Sequence, residues 1–123
     1  MAKILVIDDN EEIRVMLQTM LERAGHETVT ASNGRDGLRQ GRDASVDLVL
    51  LDVWMPQVDG ITALKDLQAK RPTLPVIVMS GGTAGVPLEY SSALADAHGA
   101  ANVLYKPFRQ EELYAAVEAA LPS

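Results

Sequence analysis

Three four-residue runs with no polar interruption, Ile4-Leu5-Val6-Ile7, Leu48-Val49-Leu50-Leu51 and Val76-Ile77-Val78-Met79, constrain this chain more than any other feature. A β-strand sends successive side chains to opposite faces, so a strand that is apolar at every position must be covered on both. That pattern belongs to parallel sheets with helices packed above and below. Each run stops abruptly on a polar residue: Asp8-Asp9, Asp52 and Ser80. After Asp52 the chain reaches Pro56, which bars an immediate return to regular pairing.

Between the runs the apolar period becomes helical. Ile13, Met16, Leu17, Met20, Leu21 and Ala24 recur on one face, Asn10 is a good amino-terminal cap, Glu11 and Glu12 suit the first turn, and Gly25 ends the segment. Glu27–Ala31 reads as a second strand, polar enough to lie near a sheet edge. A weak helix around Asp36 to Gly41 follows Asn33-Gly34, weakened by Gly34, Gly37 and Gly41. Asp59-Gly60 leads into a helix with Ile61, Leu64 and Leu67 facing inward, ended by Arg71-Pro72. Beyond Ser80, the glycine-rich stretch Gly81 to Gly85 precedes a helix opened by Pro87 and carrying Leu88, Leu94 and Ala97. A short strand, Asn102 to Tyr105, ends on Lys106-Pro107, and a final helix runs from about Gln110 to Leu121 without a good side-chain cap. Strand and helix alternate five times, which predicts one α/β domain over 1–123, a doubly wound five-stranded parallel sheet.

Composition removes whole classes of function. The absence of cysteine excludes disulfides, thiolate metal sites, Fe–S clusters and cysteine nucleophiles, and agrees with a cytoplasmic setting. A net charge of −6 argues against direct nucleic-acid binding, which needs a basic face. The amino-terminal apolar run meets Asp8-Asp9 too soon for an export signal, and no stretch is long enough to span a bilayer.

In a parallel sheet all strands present their carboxyl ends at one edge, where ligands bind, so Asp8, Asp9, Asp52, Ser80 and Lys106 should converge. Crowded carboxylates stay ionised when a cation shares the site, and hard oxygen ligands suit Mg2+. A phosphoryl group on Asp52 would be held by the metal on one side and by Lys106 and the Ser80 hydroxyl on another, which is most of what phosphoryl transfer asks of a protein.

These motifs resemble those of response-regulator receiver domains of the chemotaxis-regulator type. Val6 to Asn10, Leu50 to Pro56, Asp59-Gly60, Met79-Ser80-Gly81 and Lys106-Pro107-Phe108 match the family signatures in order along the whole chain. The resemblance implies a flavodoxin-like (βα)5 fold with strand order 2-1-3-4-5 and a cis Lys106-Pro107 bond. It implies that Asp52 accepts a phosphoryl group from a histidine kinase or histidine phosphotransfer protein, and that Asp9, Asp52 and the Trp54 carbonyl bind Mg2+. Asp8 would contribute acidity and contacts around the metal, Ser80 the switching hydroxyl, and Lys106 the partner of the phosphoryl group. Such a domain is a phosphoacceptor that assists its own phosphorylation and dephosphorylation, without substrate turnover. Its readout would be a downstream protein docking on the face of the last two helices and fifth strand. Output through docking is expected if the chain ends with the domain. The alternative is the same domain excised from a multidomain regulator or hybrid kinase.

Three departures from the family pattern bear on timing and readout. Val103 stands where receivers commonly carry an aromatic, while Tyr105, on the same strand face, directly precedes Lys106. The stretch from Ser80 to Lys106 is longer than in compact members, and Trp54 lies where hydrolysis of the acyl phosphate is tuned, so that its ring should slow dephosphorylation relative to Trp54→Asn. His26 and His98, each beside a glycine after a helix, read as surface or helix-terminal residues and not as phosphohistidines; Met16 and Met20 read as core filling. A haloacid-dehalogenase-like phosphohydrolase would need its two aspartates separated by one residue, whereas Asp8 and Asp9 are adjacent. A flavodoxin-like electron carrier would need hydroxyls and amides where Asp8 to Glu12 is acidic.

Overall fold

A computed structural model describes residues 2–52, 60–80 and 102–121. In chain order the elements are β1 (Lys3–Ile7), α1 (Glu11–Arg23), β2 (Glu27–Ala31), α2 (Gly34–Gly41), β3 (Leu48–Asp52), α3 (Gly60–Lys70), β4 (Val76–Ser80), β5 (Asn102–Tyr105) and α4 (Gln110–Ala120). The glycine-rich stretch 81–85, the helix expected after Pro87, His98, and the Trp54, Pro56 and Asp59 positions lie outside the described residues. All strand pairs are parallel, in the order β2-β1-β3-β4-β5. The polar strand β2 is at an edge, as its composition predicts.

Strand alternation divides the core in two. Leu5, Ile7, Val49, Leu51, Val76 and Val78 point to one face and pack with Ala63, Leu64 and Leu67 of α3. Ile4, Val6, Leu48, Leu50, Ile77 and Met79 point to the other and pack with Leu17 and Leu21 of α1 and Leu113, Ala116 and Val117 of α4. Every residue of the apolar runs is buried, which is why no polar residue interrupts them. At roughly 1.5–3 kcal/mol per buried aliphatic side chain, these two layers are the main favourable term in folding.

Local signals at α1 act as the sequence indicates. The Asn10 side chain accepts from the Ile13 N–H at 3.1 Å. At the other end Gly25 adopts φ 92, the His26 N–H donates to the Leu21 carbonyl and the Gly25 N–H to the Glu22 carbonyl, the paired bonds of a Schellman stop. Ala24, expected on the buried face, is instead the exposed carboxyl cap, because the helix closes one residue before it. His26 is half-buried, its Nδ1 accepting from the Ala2 N–H at 3.2 Å. Leu121, expected in the last helix, follows its end at Ala120. That helix starts without a side-chain cap, since the Arg109 guanidinium has no acceptor; Glu112 reaches back to the Arg109 N–H at 3.0 Å.

The helix α2 begins two residues earlier than the sequence suggests and is well formed, capped by Asn33 accepting from the Asp36 N–H at 2.8 Å. The glycines that make it look weak are its packing surface, because Gly34, Gly37 and Gly41 are its buried residues. A methyl at Gly37 would come within 2.4 Å of Ile7 Cδ1, 2.7 Å of Cγ1 and 3.0 Å of Cγ2. The connection from α2 to β3 is held from below by Arg71, whose Nη1 lies 3.2, 2.8 and 2.9 Å from the carbonyls of Gly41, Asp43 and Val46. Within it, hydrogen bonds from the Ser45 backbone and hydroxyl hold the Asp43 carboxyl below the usual 3.8.

The two helix glycines should respond differently to alanine. At Gly37 the methyl meets the branched, immobile part of Ile7, so overpacking of about 1–3 kcal/mol exceeds the gain of about 1 kcal/mol in helix propensity. At Gly41 it meets only a terminal methyl of Leu67 at 2.4 Å, the next atom lying 3.6 Å away. Urea unfolding is expected to show Gly37→Ala less stable by about 1–2 kcal/mol and Gly41→Ala within about 0.5 kcal/mol of the parent; equal midpoints for the two would contradict this packing.

Candidate functional site at the carboxyl edge of the sheet

Register brings the polar strand ends together. Ile7 pairs with Leu51, so Asp8 and Asp52 stand side by side one step further on. Asp52 pairs with Met79 and Ser80 with Tyr105, which sets Ser80 and then Lys106 along the same edge. Four strands thus contribute one polar residue or more each, from positions far apart in sequence. Trp54 lies outside the described residues, as does the side chain of Ser80.

Three carboxylates meet there. Asp8, Asp9 and Asp52 each present an oxygen atom, and these atoms lie within 4.8 Å of one another. Asp8 is 0% exposed and Asp52 is 5% exposed, whereas Asp9 is open to solvent. Each polar atom of Asp8 has a partner. Its N–H donates to the Ala31 carbonyl at 3.1 Å, its Oδ1 accepts from the Asn10 N–H at 2.9 Å, its Oδ2 from Lys106 Nζ at 2.9 Å, and its carbonyl from Arg14 Nη1 at 2.8 Å. Lys106 reaches across the ends of β4 and β3 to make that bond, and forms a longer ion pair of 3.7 Å with Asp52. It is followed by a cis peptide to Pro107, as expected.

One ammonium facing three carboxylates leaves the edge anionic. Only hard oxygen donors are present in the cluster, the chemistry that suits a small divalent cation such as Mg2+. The exposed Asp9 leaves a way in from solvent, and Asp8 has both oxygens already engaged within the protein.

Arg14 is the participant that sequence reading does not single out. The signal for it is faint: a cation at the fourth position of a helix, near the end whose dipole favours anions, implies a tertiary reason for being there. Tyr105 is 46% exposed, while Val103 on the same strand face packs into the core. A separate cavity of about 320 Å3 opens at the opposite edge, lined in part by Asp47, Arg71 and Leu121. Its charged groups are bonded to the backbone, Asp47 Oδ2 accepting from the Lys3 N–H at 2.9 Å and Arg71 Nη1 donating to the Asp43 carbonyl at 2.8 Å. No described helix is long and apolar enough to cross a membrane.

Removing Lys106 would leave the buried Asp8 charge with one backbone donor and two carboxylate neighbours. Lys106→Met is expected to destabilise the metal-free protein by about 2–3 kcal/mol, with much of the loss recovered in Lys106→Met/Asp8→Asn, as read by chemical unfolding in EDTA. Additive effects in the double variant would contradict a direct Asp8–Lys106 pairing.

Comparison with known proteins points the same way as the geometry. The model of the response regulator receiver domain family matches residues 4–118. The chain is 36% identical over 97% of its length to the alkaline phosphatase synthesis transcriptional regulatory protein PhoP of Bacillus subtilis, covering 48% of that protein. It is 40% identical over 97% of its length to the regulatory protein AtoC of Escherichia coli, covering 25% of it. It therefore spans about half or less of the length of these relatives. Among solved structures, the chemotaxis protein CheY4 of Vibrio cholerae superposes with a TM-score of 0.86 at 31% identity, covering 98% of this chain and 99% of that one. A response regulator receiver domain protein of Clostridium thermocellum reaches 0.89 at 34% identity, with 98% and 94% covered. With the family model spanning nearly all of it and the aspartates, lysine and cis proline at the matching strand ends, the chain belongs to the receiver domains of two-component response regulators.

Proposed function

We propose that Asp52 is the phosphoacceptor of this receiver, and that Asp8, Asp9, Ser80 and Lys106 serve the transfer. The single observation that carries this reading is the meeting of three carboxylates within 4.8 Å with one lysine ammonium at the carboxyl edge. Magnesium, held by Asp9, Asp52 and the Trp54 carbonyl with Asp8 beside it, would neutralise charge on the phosphoryl oxygens.

The side chains of this protein supply the rest. An Asp52 oxygen forms the new O–P bond while the P–N bond of a phosphohistidine breaks, its electron pair staying with the imidazole nitrogen of the kinase or phosphotransfer protein. Asp52 suits this role because it is nearly buried, ends a rigid strand, and has a cation on one flank. Lys106 is held 2.9 Å from Asp8 and 3.7 Å from Asp52, so a small swing of its flexible stem brings it onto a phosphoryl group at Asp52. The Ser80 hydroxyl, at the end of the neighbouring strand, is the donor to a phosphoryl oxygen. This is single-turnover chemistry on the protein itself, taking place in the cytoplasm, as the family resemblance implies.

Adding phosphate to an edge that joins the ends of β3, β4 and β5 biases the conformation of the surface beyond them. A downstream protein that docks on the α4 and β5 side is the readout. Since the curated relatives are two to four times longer, a covalently attached output domain is the alternative consumer of the same signal.

Incubation with acetyl phosphate is the direct test. We expect incorporation of one phosphoryl group per chain, dependent on Mg2+ and lost in Asp52→Asn; repeated turnover of a phosphomonoester, or incorporation unchanged in Asp52→Asn, would overturn the assignment.

A further inference from the structure

We propose that Arg14 is a positioning residue of the acidic site, orienting the peptide between Asp8 and Asp9 so that the Asp9 carboxylate is presented to the cation. This inference rests on the magnesium reading above. The Arg14 guanidinium lies half-buried on α1 and donates to the Asp8 carbonyl at 2.8 Å. A peptide unit is planar, so fixing the Asp8 carbonyl fixes the direction of the Asp9 N–H and the place of the Asp9 Cα. The rest of Asp8 is already anchored by its bonds to Ala31, Asn10 and Lys106. Asp9 differs: among the described residues, no hydrogen bond or ion pair holds its exposed carboxylate. The peptide plane before Asp9 therefore fixes where its Cα stands, and so the point from which its side chain reaches the cation.

Charge gives the opposite expectation, which makes the role testable. A cation on the Asp8 carbonyl adds positive charge near the acidic cluster and so opposes the binding of another cation, and at the fourth position of α1 it also opposes the helix dipole. If Arg14 acted only through its charge, removing it would tighten Mg2+ binding. If it only tied α1 to β1, removing it would lower stability and leave affinity alone. Orientation of Asp9 predicts weaker binding despite the lost repulsion, since groups that orient metal ligands typically matter by tenfold or more.

The experiment is Mg2+ titration of the whole chain, followed by calorimetry and by the fluorescence of Trp54, the single tryptophan. Parent, Arg14→Met, Arg14→Lys and Asp9→Asn proteins are compared, with thermal unfolding in EDTA establishing that each is folded at the titration temperature. Arg14→Met is expected to bind Mg2+ about tenfold more weakly than the parent. Arg14→Lys, which keeps a donor but not the planar fork, is expected to fall between them. Affinity in Arg14→Met equal to or tighter than that of the parent would overturn the positioning role while leaving the metal site standing. A parent protein that binds no Mg2+, or one whose binding survives Asp9→Asn, would overturn the magnesium reading and this inference with it.

Discussion

A carboxylate with no solvent exposure, Asp8, is the constraint on which the rest of the site depends. A buried charge persists only when its oxygens are satisfied, and here an amide of the following turn and the ammonium of Lys106 satisfy them from opposite ends of the chain. Because Lys106 follows β5 and Asp8 follows β1, that one pair spans the width of the sheet from β1 to β5. It also draws the lysine to within ion-pair distance of Asp52, so the residue that balances the buried Asp8 charge stands beside the one proposed to carry phosphate.

Around this edge the scaffold is rigid for simple reasons. Two apolar layers cover the two faces of a short sheet, and the strands have no polar residue until they reach the edge. The helix α2 contributes little apolar side-chain area and instead packs by its backbone: with glycine at its buried positions it lies close against Ile7 and Leu67, and at Gly37 a larger residue would have to displace Ile7. Its outward positions Arg35 and Arg39, and its carboxyl cap Arg42, are exposed. Packing on both sides of β1 fixes the place of Ile7, the last residue before Asp8.

The fold is legible in the apolar runs, and the gathering of Asp8, Asp9, Asp52 and Lys106 at one edge follows from their places at strand ends, Lys106 after the short strand Asn102 to Tyr105. Both inferences succeed for the same reason: a strand covered on both faces leaves a long, local and unmistakable pattern, and parallel topology converts position along a strand into position in space. The helix α2 is expected and found, but its start at Gly34 and the packing role of its glycines are not legible, because intrinsic propensity counts glycine as weakness and knows nothing of a neighbour that leaves little room for a methyl. Periodicity puts Ala24 on the buried face because it continues one residue past the point where the Gly25 stop closes the helix. The contact of Arg14 is not legible in the sequence, since a single arginine in an amphipathic helix has no periodic signature.

The amino-acid sequence by itself determined the class of fold, the strand order implied by its family motifs, and which residues stand at the carboxyl edge of the sheet. Only the tertiary structure decided how those residues share their charges: Asp8 fully enclosed and bonded at every polar atom, Asp9 left open, Lys106 nearer to Asp8 than to Asp52, and Arg14 on the peptide between the two acids. The physical reason is range. Burial patterns and caps are set by residues a few positions apart, whereas hydrogen bonds to a buried carboxylate depend on distances of a fraction of an ångström between groups up to 98 positions apart, and these exist only once the sheet has closed its register.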